Sequence, residues 1–337
     1  MNVPVAPPRR SLLGRGIAVL LGLLLVLVVF LMWWWDKEPP RLDVMRAAEK
    51  HANAHGHRMV TGVATTATLI EVVDTLLHKR GGYLSNDIMP PGVFMDNMPN
   101  WEFGVLVQVR DLAKAMRNEF SRSQTQSTED KDLQLADPLF SFSNDRWILP
   151  SAESQYRKGN ARIEDYLVRL GDTDDFNAQF FARADNLVDW LAIVEKRLGD
   201  LSQRLSASVG QLRVDTDLGG DAQATQSTPA PALREVRTPW LQIDDVFYEA
   251  RGATWALWHF LKAIEHDFEP VLRDKNALVS LRQIIRELEE SQSPIWSPMV
   301  LNGSQFGFFA NHSLVMANYV SRANAAIIDL RKLLDRG

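Results

Sequence analysis

Histidines and carboxylates are the residues of this chain that could do chemistry. His51, His55 and His57 fall close together. Two histidines four apart on a helix can hold a zinc ion, and a neighbouring glutamate then activates water. Here the spacing reads His-Ala-Asn-Ala-His, with no glutamate between, and His57 stands beyond Gly56. The set reads as solvated histidines at a helix end. His259, Glu265, His266 and Asp267 form a second group, with Trp255 and Trp258 beside them. Seven residues return a helix to the same face, so His259 and His266 are aligned. An acid–base site would need them in a cleft with shifted pKa values. The plainer reading is a polar helix face with one histidine tucked against tryptophan. His312, in FFANHS, has no serine or aspartate at a motif spacing.

The acidic pairs Glu164-Asp165, Asp174-Asp175 and Asp244-Asp245 suggest calcium first. A calcium loop needs alternating oxygen ligands and a glycine at its turn. Asp172-Thr173-Asp174-Asp175 lacks that glycine and the terminal glutamate. Acids at helix N-termini, where the dipole favours them, fit better. No glycine-rich phosphate loop occurs. The chain has no cysteine, which removes thiol nucleophiles, cysteine zinc sites and iron–sulfur clusters. No residue is therefore assigned as catalytic, cofactor-binding or metal-binding. The formal net charge of −5 argues against nucleic acid or an anionic membrane surface as the main partner.

The elements that would position these groups begin with an apolar run, IAVLLGLLLVLVVFLMWWW, from Ile17 to Trp35. As a helix it rises roughly 28 Å, close to the hydrocarbon thickness of a bilayer. A secretory signal has a shorter apolar core and a small-residue cleavage site. This run is longer and ends in Met-Trp-Trp-Trp-Asp. It reads as an uncleaved transmembrane helix over 17–35. Arg9, Arg10 and Arg15 precede it, and Asp36-Lys37-Glu38 follows. Basic flanks stay cytoplasmic, so 1–16 is expected to be a cytoplasmic tail and the rest periplasmic. Trp33, Trp34 and Trp35 suit an interfacial belt.

Past Pro39-Pro40 the patterning is helical throughout, and no segment alternates like a strand. The fold class expected is all-α: the membrane helix, then a bundle of seven or eight long helices. Helices are predicted over 41–55, 61–80, 101–122 with Asn100 as N-cap, 151–170 with a cap at its first residues, 240–272, 276–292 and 308–334. Residues 123–150 are expected to be irregular. The strongest pattern runs from Phe180 through Leu187, Leu191, Val194, Leu198 and Leu205 to Leu212. Its three-and-four spacing is a heptad seam and predicts one helix of about 35 residues. The seam is expected to pack inside the chain; a homodimer through it is the alternative. Residues 210–238 contain DLGGDAQATQSTPAPA and read as a linker between a helical half, 36–209, and a second half, 239–337, that packs on the first. Two apolar loops, 83–100 and 293–307, carry proline, asparagine, methionine and aromatic residues. They are expected to be packed, and are the best candidates for contact surfaces.

Three segments are distinctive as wholes: GGYLSNDIMPPGVFMDNMPNWEFGVLVQVRDL, ARGATWALWHFLKAIEHDF and VLNGSQFGFFANHSLVMANYVSRANAAIIDL. Through them the chain resembles a family of uncharacterised proteobacterial proteins with one N-terminal membrane helix and one conserved region. The resemblance implies a Gram-negative inner membrane and brings no catalytic residue, ligand or reaction. The function expected is therefore a single-pass inner-membrane protein. Its partners are the bilayer and other envelope proteins, which its periplasmic domain binds or scaffolds. An envelope enzyme or regulator acting on cell-wall or lipid substrates is one alternative. A periplasmic small-molecule sensor with a membrane partner is another.

Overall fold

The computed structural model describes residues 12–56, 58–122, 128–172, 177–214, 233–297, 299–304 and 308–336. Helix α1, Leu12–Trp35, stands clear of the rest up to its last turn, and none of its most apolar window is buried. It is long and apolar enough to cross a membrane. The remaining helices are α2 (Val44–Ala54), α3 (Val63–His78), α4 (Asn97–Ala115), α5 (Lys131–Phe140), α6 (Ala152–Gly171), α7 (Ala184–Ser206), α8 (Ile243–Asp267), α9 (Glu269–Asp274), α10 (Leu278–Glu290) and α11 (His312–Asp335). The expected all-α class holds, and one continuous apolar core joins α2 through α11.

Local chemistry sets many of the boundaries. Asp43, Asp130, Ser151 and Asn311 each accept a backbone N–H from the first turn of α2, α5, α6 and α11. Helix α4 starts at Asn97, earlier than predicted, with Asp96 rather than Asn100 as its cap. Pro99 lies in the first turn, where its missing N–H deprives the helix of nothing. Residues Met116–Phe120 continue α4 as a π turn. Helix α5 occupies a stretch expected to be irregular; Leu133, Ala136 and Phe140 bury one face of it, and Pro138 comes late. Pro270 divides the predicted 240–272 helix into α8 and α9.

The long seam is also shorter than expected. Gly210, at φ +81°, takes the chain out of helix. Leu212 then lies on a strand, β1 (Gln211–Val214), which pairs antiparallel with β2 (Leu233–Val236). Phe180 precedes the helix and packs on Phe120 and Phe268. Leu187, Leu191, Val194, Leu198, Leu201 and Leu205 remain one buried stripe, laid mainly along α11 of the same chain.

The most extensive packing joins α4 to α8. Trp101 and Trp255 meet across the crossing with ring centroids 5.2 Å apart. Two glycines let the backbones approach. A Cβ on Gly252 would strike the Trp101 carbonyl, and one on Gly104 would strike the Glu249 carbonyl. Gly252→Ala is therefore expected to destabilise the protein by about 2 kcal/mol through overpacking. Denaturant titration of the full chain should show a lower midpoint with an unchanged slope.

The connections sort to two ends. At one end Gly81 lies against Trp35, Asn100 Nδ2 donates to Asp245 Oδ1 (2.7 Å), Tyr83 reaches Asn144, and Phe247 neighbours His312. Among the described residues this tether end therefore gathers 79–96, 141–151, 207–214 with 233–242, and 291–297 with 299–304 and 308–311. At the far end Phe120, Phe180 and Phe268 form an aromatic cluster, and Phe180 also lies on Gly62.

Candidate functional site

The site is built where the chain leaves α1 and joins the bundle. Residues 37–43 are not helical, as Pro39-Pro40 requires. Glu38 receives Arg251 Nε at 2.5 Å and Nη2 at 2.6 Å. Arg251 Nη1 donates to the carbonyls of Ser291 and Ser293, each at 3.1 Å. Arg41 pairs with Glu289 at 2.6 Å, over the Trp258 ring. Leu42 N–H then donates to His259 Nε2 at 2.8 Å. Lengths agree with these contacts. Four extended residues from Glu38 to Leu42 span about 13 Å. Eight helical residues from Arg251 to His259 rise about 12 Å. The tether thus runs alongside α8 and is bound at both ends of the run.

His259 is fully buried, and both its nitrogens are used. The Trp255 carbonyl can only accept, so Nδ1 carries the proton and donates to it at 2.7 Å. Nε2 is the acceptor for Leu42. Burial holds the ring's pKa down to about 4, so it is neutral at pH 7. Asp36 and Asp245 shift the other way. Burial raises each to about 6, and neighbouring acids add to the effect.

A second buried pair fixes the 79–96 loop. Lys79 Nζ lies 2.5 Å from Glu102 Oε1, with both side chains essentially inaccessible. Lys79 also donates to the Gly82 carbonyl at 2.6 Å. Glu102 accepts Leu84 N–H at 2.8 Å, Ser85 N–H at 2.8 Å and the Ser85 hydroxyl at 2.5 Å. One carboxylate therefore holds a turn and a cation together.

Beside the tether lies a cavity of about 310 Å³, at the low end of the size for small-molecule sites. Phe247, Ile295, Trp296, Met316 and Tyr319 form its walls, with Arg251 and His312 as polar members. Burial pushes the His312 pKa down, and its Nδ1 accepts Leu301 N–H at 3.0 Å. A neutral imidazole, a guanidinium and aromatic walls suit a small ligand with an anionic head. The guanidinium, however, already grips Glu38.

The groups selected from sequence are not brought together. His51 pairs with Glu71 at 3.1 Å, and His55 lies 3.8 Å from Glu164; His57 is outside the described residues. His266 contacts Asp267 at 3.5 Å, and this raises its pKa. Asp267 itself is taken by Thr65, whose N–H and hydroxyl donate at 2.7 and 2.6 Å. Glu265 pairs with Lys262 and Arg282. Thus His259 faces the tether, His266 sits at the far end of α8, and His312 sits at the tether end. Asp244-Asp245 occupies the first turn of α8, as the dipole favours. Glu164-Asp165 does not fit that expectation: it lies past the middle of α6, pairing with His55 and Arg162. Asp174-Asp175 is outside the described residues. Among the described residues no three metal-ligating side chains converge.

Sequence reading missed Glu38, Arg251, Lys79 and Glu102. The available signal was charge on an apolar face. Glu102 interrupts the stripe of α4, and Arg251 that of α8. Residues 9–337 match a family of uncharacterised proteins conserved in bacteria, DUF2333, and the chain belongs to it. No curated protein and no solved structure matches.

Proposed function

We propose that this protein is a single-pass protein of the bacterial inner membrane, with a cytoplasmic N-terminus and a periplasmic helical domain that scaffolds other envelope proteins. The observation that carries this reading is the bound tether. A domain on a loose leash would sample all orientations. Here Glu38, Arg41 and Leu42 are each held by α8 or α10, so the bundle presents the same sides at a set height above the bilayer. A fixed posture is useful to a platform. The basic residues before α1 and the acids after it support the orientation.

The test is brief crosslinking in intact envelopes, then capture of the full chain. A control carries the same α1 on an unrelated domain. The expected result is a small set of envelope proteins recovered with the full chain and not with the control. Equal recovery by both would remove the scaffold reading. A reporter active only in the periplasm, fused at Gly337, should be active; an inactive reporter would reverse the orientation.

A small-molecule sensor is the second reading, favoured by one contact. Arg251 borders the cavity and also holds Glu38. An anionic ligand entering there would compete with Glu38 for the guanidinium and so loosen the tether. Ligand-dependent thermal stabilisation of the full chain would support it.

A further inference from the structure

We propose that the tether end of the bundle is itself seated in the lipid interface, so that loops around α1 rest among headgroups and upper acyl chains. This rests on α1 spanning the bilayer. Exposed apolar side chains mark the surface concerned. A soluble domain scatters them singly; a contiguous patch marks an interaction surface. All four segments of the tether end carry them. Met89 and Phe94 (62% exposed) come from 79–96, Leu149 from 141–151, Trp240 (80%) from 233–242, Trp296 (95%) from 291–297 and Phe308 (100%) from 308–311. Among the described residues of the far end, only Val279 is comparable.

Four loops, remote in sequence, thus agree in composition only because the topology returns them to one end. Internal packing does not explain the agreement, since these side chains are outside the core. Lipid is the occupant that fits. The patch shares its end of the bundle with the point where α1 leaves it, and there the 79–96 loop touches Trp34 and Trp35, so it adjoins the surface α1 gives to lipid. Its aromatic content suits the interface, where tryptophan and similar rings concentrate. The contacts beside it are of the same kind: Lys37 Nζ lies 4.4 Å from the Trp33 ring centroid, and the Arg80 guanidinium 4.3 Å from that of Trp34. The Lys79–Glu102 pair and the Arg251 contacts then hold two of these loops in place. Envelope partners are left the flanks and the far end.

The chain has no native cysteine, so single introduced cysteines give unique labels. Full-length protein carrying Phe94→Cys, Trp296→Cys or Phe308→Cys is labelled with a fluorophore. It is then reconstituted at high dilution in phosphatidylethanolamine–phosphatidylglycerol vesicles containing bromine-labelled lipids. Leu25→Cys reports the spanning helix and Val279→Cys the far end. The expected result is strong quenching at Leu25 and, at the three loop positions, quenching several-fold above Val279. Loop labels no more quenched than Val279, with Leu25 still quenched, would overturn the seat and leave the span intact. Loop quenching that falls away on further dilution in lipid would also overturn it, because contact between the loops and lipid needs no second copy. An unquenched Leu25 label would remove the span, and the seat with it.

Discussion

Glu102→Ala should lower the unfolding free energy by about 4 kcal/mol, because it leaves a buried cation alone. The change does more than remove a charge. Lys79 loses its partner, and three donors from Leu84 and Ser85 lose their acceptor. Each buried donor left unpaired adds to the loss, on the order of 1 kcal/mol or more. The reciprocal change is expected to be milder. In Lys79→Met the carboxylate keeps all three donors from the turn, so the loss should be about 2 kcal/mol. Denaturation of the full chain in mild detergent, followed by tryptophan fluorescence, separates the two. Equal losses would show that the ion pair alone matters and that the carboxylate does not organise the loop. Exchange of the Leu84 and Ser85 amides should accelerate strongly in Glu102→Ala and only slightly in Lys79→Met.

How far the sequence reveals such arrangements depends on whether the signal is local. Helix α1 is legible because an uncharged run of that length has few alternatives in water. Helix α6 is legible from Ser151 and the spacing of Tyr156, Ile163 and Leu167. The apolar content of the loops was legible too, but its meaning was not. The pattern predicts packed loops; Tyr83, Leu84 and Met98 are buried, whereas Phe94 and Trp296 are exposed. Only the up-and-down course of the helices shows that these loops share an end. Helix α5 escaped because its buried face is three residues wide and contains a nearby proline. The Phe180–Leu212 seam overran its helix because apolar spacing does not register Gly210, where the chain changes conformation. Glu102 and Arg251 could be noticed as charges on apolar stripes, yet nothing local names their partners. Arg251 and Glu38 are 213 residues apart, and His259 and Leu42 are 217.

His259→Ala should destabilise the protein by about 3 kcal/mol at pH 7, from the cavity left by a buried ring and the Leu42 N–H left without its acceptor. The tether also makes the effect depend on pH, with a defined sign. The folded ring has its pKa lowered to about 4, whereas in the unfolded chain it titrates near its usual 6.5. Between these values the unfolded state takes up a proton that the folded state excludes. The folded state therefore loses stability as pH falls from 6.5 to 4, by as much as about 3 kcal/mol. Alanine binds no proton and has no such loss. The gap between wild type and His259→Ala should thus be widest above pH 6.5 and close toward pH 4. Asp36 and Asp245 work against this trend in the wild type. Their raised pKa values mean that the native state holds extra protons between about 4 and 6, so acid relieves them. Both carboxylates are present in the variant as well, so their contribution cancels in the difference. Thermal unfolding of the two proteins across that range measures the difference directly. A gap constant with pH would mean that burial does not keep the ring neutral, and that the tether is held at Glu38 and Arg41 without it.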